Sequence, residues 1–236
     1  MKKTGNQYSI SVVIPVCNET RNISRLLPIL SQLKNDHSVE IIISASDEAS
    51  NYKECCSTAK TVILQSDQKG RAPQMNYGAA HAKGDILVFL HADVTPPKEF
   101  YSNITTTIAS GYKAGLFSYK FDKRKFLFKI NEYFTSKDSM FTGGGDQCLF
   151  IRKNVFNEIG GFDEKQILME DFEIFNRIKK EKISYKIINN DLLVSARKYE
   201  DNSYIKINLT NLMLVFLFKL GISPNKLKAI HNALIK

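Results

Sequence analysis

The chain has 236 residues, 43% of them hydrophobic and 24% charged, a globular balance that excludes a disordered or fibrous protein and is enough for one large core. Thirty-three Lys+Arg against 24 Asp+Glu give a net +9, which suits a phosphorylated ligand or an acidic membrane face as well as it suits a Lys-rich solvated surface. Cysteines at 17, 55, 56 and 148 lack zinc-ligand spacing and read as reduced thiols in a cytoplasmic protein.

The N-terminal MKKTGNQYSISVVIPV has a basic start, but its short apolar run leads into Pro15 and reads as a first strand over 9–16, not a signal peptide. Ile23, Leu26, Leu27, Leu30 and Leu33 then recur at helical spacing, with Pro28 implying a kink or a late start. Strands are predicted at 39–45 and 61–65, a helix from Ala72 to Ala82, and a fourth strand over 85–92, DILVFLHA. Repeated βα units predict a parallel sheet covered by helices on both faces, with ligands at the carboxyl ends of the strands. His91 and Asp93 stand at such an end, one residue apart, so strand alternation would point both the same way. A cap is the other reading of Asp93, because Thr95, Pro96 and Pro97 make a plausible helix start.

The chain carries neither a GxxxxGK[ST] phosphate loop nor a GxGxxG turn. Lys69, Gly70 and Arg71 instead precede a helix, where a cation and backbone N–H groups could face phosphate, or could form a solvated basic turn. Gly143, Gly144 and Gly145 ahead of Asp146 and Gln147 suggest backbone passing close to a ligand, or a hinge. Gly160 and Gly161 read as a helix C-terminus. Glu170 and Asp171 open a helix whose apolar side is Phe172, Phe175 and Ile178, and the helix dipole alone would favour an acidic residue there.

The tail from Asn202 holds five lysines and no acidic residue. Its first helix is apolar over most of its circumference beyond Leu212, but the segment falls short of the roughly 20 apolar residues that a spanning helix needs. Docking onto the core, a homodimer, or peripheral attachment to an acidic membrane are the alternatives.

Three stretches resemble the family 2 glycosyltransferases, inverting enzymes with a GT-A fold: SVVIPVCNE (11–19), KGRAPQMNYGAAHAKGDILVFLHAD (69–93) and GGGDQCLFIRKNVFNEIGGFDEKQILMEDFEIFNRI (143–178). They span about three quarters of the chain. The resemblance implies an α/β fold with a mostly parallel, Rossmann-like central sheet and a C-terminal helical appendage. It divides the chain into a GT-A domain, 1–200, with a nucleotide-sugar half (1–95) and an acceptor half (96–200), and a helical extension, 201–236.

His91-Ala92-Asp93 is similar to a variant of that family's DxD metal motif found in a bacterial subgroup. Asp93 would then hold Mn²⁺ or Mg²⁺, and His91 would be a further ligand or a ribose-facing group. Such a cation would stabilise the departing nucleoside diphosphate as a Lewis acid, and an imidazole ligand inclines the choice toward Mn²⁺. The resemblance also places Pro15, Asn18, Glu19, Asp47, Arg71, Asn76, Ala92 and Arg197 toward a UDP- or GDP-sugar donor. Gly144, Gly145, Asp146, Gln147 and Glu170 fall toward a glycan, lipid-linked or small-molecule acceptor. Asp171, the last residue of MED, would be the base that takes the acceptor's proton. No nucleic-acid partner is expected, and the protein would be cytoplasmic or peripheral to the inner membrane face.

Two departures stand out. Ala45 and Ser46 occupy the place of the family's base-reading Asp, with Asp47 displaced. The processive members' QxxRW is replaced by SARKYE (195–200), which favours a single transfer. A non-catalytic nucleotide-sugar binder on the same fold, or a sugar-phosphate nucleotidyltransferase, are the alternative functions.

Overall fold

The computed structural model describes residues 8–34, 37–56, 61–139, 142–197, 199 and 202–235. The basic start at 1–7 and residues Lys198 and Glu200 of the 195–200 stretch lie outside them. Strands β1 (Ile10–Val16), β2 (Val39–Ala45) and β3 (Thr61–Gln65) alternate with helix α1 (Thr20–Gln32) and are followed by α2 (Arg71–His81) and β4 (Ile86–Phe89). The second half carries β5 (Val94–Thr95), α3 (Phe100–Ala109), β6 (Ala114–Phe121), α4 (Phe128–Thr135), β7 (Phe150–Arg152) and α5 (Lys153–Glu158). Helix α6 (Glu170–Lys180), β8 (Tyr185–Val194), α7 (Tyr204–Lys219) and α8 (Pro224–Leu234) complete it.

Among the described residues the strands form one eight-stranded sheet in the order β3-β2-β1-β4-β7-β6-β8-β5. The first four strands are parallel, as βα repeats require, whereas β7 runs antiparallel to both β4 and β6 and β5 runs antiparallel to β8. Alternation along β1 divides the core. Val12 and Ile14 face α1 and α3 through Leu26, Leu27, Phe100 and Ile104, while Val13 faces α2, α5 and α6 through Met75, Phe156 and Phe175. At Gly78 a side chain would collide with Val13, so α2 lies directly on the sheet, and its first turns are held at the carboxyl ends of β1 and β2.

Two local expectations are corrected. Helix α1 begins at Thr20, well before Pro28, because Pro28 is on the exposed side while Ile23, Leu26, Leu27 and Leu30 bury the other. The fourth strand ends at Phe89, not at 92. The Val94 N–H bonds His91 O at 3.2 Å, closing a turn that carries the chain across to pair β5 with β8. His91 and Asp93 therefore do not alternate as strand residues: His91 is buried and Asp93 exposed. Thr95 belongs to β5, and the helix expected from Thr95–Pro97 starts at Phe100.

Candidate active site

The carboxyl ends of β1 and β2 are clamped by one side chain that no motif in the chain singles out. Buried Gln74 of α2 donates through Nε2 to Val16 O and Ser44 O, both at 2.7 Å. Pro15 is buried in β1 opposite Ser44, and the chain then turns through Asn18, whose φ of 59° lies in the left-handed region. Asp47 holds that turn: its Oδ2 accepts from Asn18 N–H at 3.0 Å and from the buried Tyr52 hydroxyl at 2.9 Å. The Tyr52 hydroxyl oxygen in turn accepts from Glu19 N–H at 3.2 Å. Asp47 is thus engaged in the loop itself, and Ala45 beside it is fully buried.

Arg71 is the first residue of α2, after Gly70 with φ 126°. Its Nε lies 2.6 Å from Glu170 Oε1, pairing a half-exposed guanidinium with a carboxylate whose side chain is 2% exposed. Among the described residues that carboxylate accepts no well-aligned hydrogen bond, and the ion pair compensates its burial. Glu170, which the resemblance places toward the acceptor, is paired here with Arg71.

Asp171, the next residue, lies with Oδ2 3.9 Å from His91 Nε2. Burial foremost, then the charge of Glu170, push its carboxyl up to about 8 against the opposing pull of Arg71. The Met169 backbone at φ 69° produces the sharp entry that sets both carboxylates on the first turn of α6. Gly145 completes this contact. A Cβ there would overlap both His91 Cε1 and Asp171 Oδ2, so only glycine lets the two side chains approach; at Gly144 a Cβ would make ordinary contact with Phe172.

Beside Asp171 opens a cavity of about 570 Å³. Arg71, Gly144, Gly145, Asp146 and Asp171 form its polar end. Its apolar wall is built from Ile130 and Phe134 of α4, Leu168 just before α6 and Phe172 within it, and Leu209 and Leu212 of α7. Tyr204 OH donates to Asn131 Oδ1 at 2.6 Å, and Asn131 Nδ2 to Asn208 Oδ1 at 2.9 Å, joining α4 to α7. No sequence signal marks these residues, because α4 and α7 are some 70 positions apart and meet only in space.

Other expected site residues are placed as follows. Asn76 donates to Phe162 O and Glu164 Oε1, each at 2.9 Å, and accepts from Phe162 N–H at 2.9 Å, pinning the Gly160–Gly161 turn to α2. Buried Gln147 touches the cavity, but its amide donates to Thr135 O at 3.0 Å and accepts from Gly143 N–H at 2.9 Å. Ala92 packs in the core, and Arg197 is exposed and is not one of the residues lining the cavity. Exposed Asp93 is within electrostatic reach of Arg71. Among the described residues no three His, Cys, Asp or Glu side chains form a metal cage. An ion such as Mg²⁺ held by one or two carboxylates plus phosphate oxygens needs none.

The mixed eight-stranded sheet flanked by helices is the fold of the GT-A glycosyltransferases. The family profile described as glycosyl transferase family 2 matches residues 11–161, more than half of the sequence, and the chain belongs to that family. An undecaprenyl-phosphate 4-deoxy-4-formamido-L-arabinose transferase of Photorhabdus laumondii is 23% identical, over 96% of this chain and 72% of that protein. The glycosyltransferase AglE of Haloferax volcanii is 27% identical over 42% of this chain, which spans only 35% of that relative. Among solved structures, the mannosyltransferase PcManGT from Pyrobaculum calidifontis in complex with GDP-Man and Mn²⁺ shares the fold with a TM-score of 0.65. It is 17% identical, with 97% of this chain and 70% of that one covered.

Proposed function

We propose that this glycosyltransferase moves a sugar from a nucleoside-diphosphate sugar, UDP- or GDP-linked, to an acceptor hydroxyl in one inverting displacement. The observation that carries this reading is Asp171, a carboxylate set beside His91 on the cavity lining next to Arg71, where burial and Glu170 raise its affinity for a proton. Poised there, it accepts the hydroxyl proton as the oxygen attacks the anomeric carbon from the face opposite the departing diphosphate. Arg71, at the start of α2 and oriented by Glu170, faces the diphosphate together with the helix N-terminus. No covalent intermediate is needed, so no second nucleophilic carboxylate is required.

Asp93 would hold Mn²⁺ or Mg²⁺, with His91 as a second ligand or facing the ribose, and the bound ion would offset charge developing on the diphosphate. The exposed carboxylate and the imidazole beside the Gly145 gap are a suitable donor set. The GDP-Man and Mn²⁺ complex of the Pyrobaculum enzyme supports that class of donor and ion. Residues 1–95 would carry the donor, 96–200 the acceptor, and the helices of 201–236 would close the acceptor side. The apolar cavity wall and the undecaprenyl-phosphate relative favour a lipid-linked acceptor over a free glycan or small molecule. No described helix is long and apolar enough to cross a membrane, and attachment at a cytoplasmic membrane face would be peripheral.

Thermal stabilisation by UDP-, GDP- and dTDP-sugars, with and without Mn²⁺, tests the reading. One donor class is expected to raise the melting temperature in a Mn²⁺-dependent way, and stabilisation by none would overturn it. The non-catalytic alternative draws on Ala45 and on Asp47, whose carboxylate is engaged by Asn18 and Tyr52. It predicts donor binding without any transfer or donor hydrolysis.

A further inference from the structure

We infer that the exposed apolar faces of α4 and α7 form a docking surface for an anionic lipid bilayer, with the mouth of the cavity opening between them. On α7 and at its C-cap the exposed residues Ile205, Leu209, Leu212, Phe216 and Leu220 recur every three or four positions, so they share one stripe. The opposite side of the same helix is anchored in the protein through Ile207, Thr210 and Leu214. The segment entering and forming α4 repeats the pattern with Phe126, Leu127, Ile130, Tyr133 and Phe134 exposed, above the buried Phe128 and Thr135. Phe126 is 81% exposed, Ile205 64% and Leu209 60%, far more than side chains covered by their own chain. Ile130, Phe134, Ile205, Leu209 and Leu212 belong at once to these stripes and to the cavity wall. The outer surface therefore runs without a break into the space beside Asp171.

Charge selects the occupant. Residues 123–137 carry Lys123, Arg124, Lys125, Lys129 and Lys137 against the single acid Glu132, and the chain from Asn202 onward has five lysines and no acid. Apolar stripes in segments rich in cations are the pattern of helices lying in an acidic bilayer interface, where cations meet the headgroups. A second copy is disfavoured, because a twofold interface would set these lysines against one another. Docking here presents the cavity to the bilayer, so an amphiphilic acceptor can reach Asp171 laterally with its apolar chain between α4 and α7. The surface stands on exposure and charge alone, whereas its role in delivering acceptor rests on the glycosyltransferase reading above.

Co-sedimentation of the full chain with phosphatidylcholine vesicles, with and without phosphatidylglycerol, at low and high salt, tests the surface without any substrate. Binding to the anionic vesicles is expected to be at least about tenfold stronger than to the neutral ones and to weaken with salt. The double substitution Phe126→Glu/Phe216→Glu, at two exposed positions outside the cavity lining, should abolish it without lowering the melting temperature. Lys129→Glu/Lys219→Glu, which leaves the apolar stripes intact, should weaken it by about tenfold or more. Equal affinity for both vesicles, no binding to either, or a solution dimer that Phe126→Glu/Phe216→Glu dissociates would overturn the proposal. Retained vesicle binding in a protein that no nucleotide sugar stabilises would instead remove the donor reading and leave the surface standing.

Discussion

Asp171 is unfavourably placed for a carboxylate whose only task is to start a helix, since burial and the neighbouring Glu170 both oppose its charge. Asp171→Asn keeps the shape and removes the base. Transfer to a hydroxyl acceptor is expected to fall by a factor on the order of 10² to 10⁴, with donor binding retained. A loss below about tenfold would point to an acceptor oxygen that is already ionised, such as a phosphate, and would remove the base role. Because the base must be unprotonated, kcat/KM should rise with pH up to about 8 and level off above it, read from a pH–rate profile. Glu170→Gln supplies a sharper check. Losing that negative charge lowers the Asp171 pKa, so the limb should move to lower pH, while the loosened Arg71 raises the donor KM.

At the scale of elements, the site is an assembly of helix and strand ends held together by short-range devices. Gly145→Ala should cost about 1–3 kcal/mol in denaturant unfolding and at least about tenfold in turnover, because the added methyl must push His91 and Asp171 apart. Asn76→Leu has the opposite profile. It leaves the Phe162 N–H and C=O without their partner, so it should destabilise by roughly 1–3 kcal/mol while the folded protein keeps its donor affinity. A rise of tenfold or more in donor Kd for Asn76→Leu, measured well below its melting temperature, would return that residue to the binding surface.

For the whole molecule, the same carboxylate links folding to pH. Asp171 binds its proton more tightly folded, at about 8, than unfolded, near 3.8, so between these values the native state carries the extra proton. Its contribution is fully present below about 4 and is lost as pH rises through 8. Unfolding free energies measured across that window should decline more steeply for the wild type than for Asp171→Asn, and parallel curves would contradict the raised pKa. The sheet passes from the first half to the second through the β4–β7 pair, so this local charge is coupled to the cooperative unit as a whole.

The apolar runs at 9–16, 39–45 and 61–65, and the Ala-rich segment after Arg71, announced the parallel half of the sheet by themselves. Each is a local pattern, and burial of a strand or helix face enforces it wherever the chain goes. Glu170 and Asp171 at a helix start were equally visible, being adjacent in the chain. The sequence alone could not tell that Glu170 would turn to Arg71, or that Asn76 and Gln147 would be engaged by backbone far along the chain. It also carried the apolar run into His91 with no sign that the strand would stop at Phe89. Only tertiary contact decided these points, because a hydrogen-bond partner, a turn into another strand and the meeting of α4 with α7 are settled by what lies nearby in space, and periodicity along the chain does not record it.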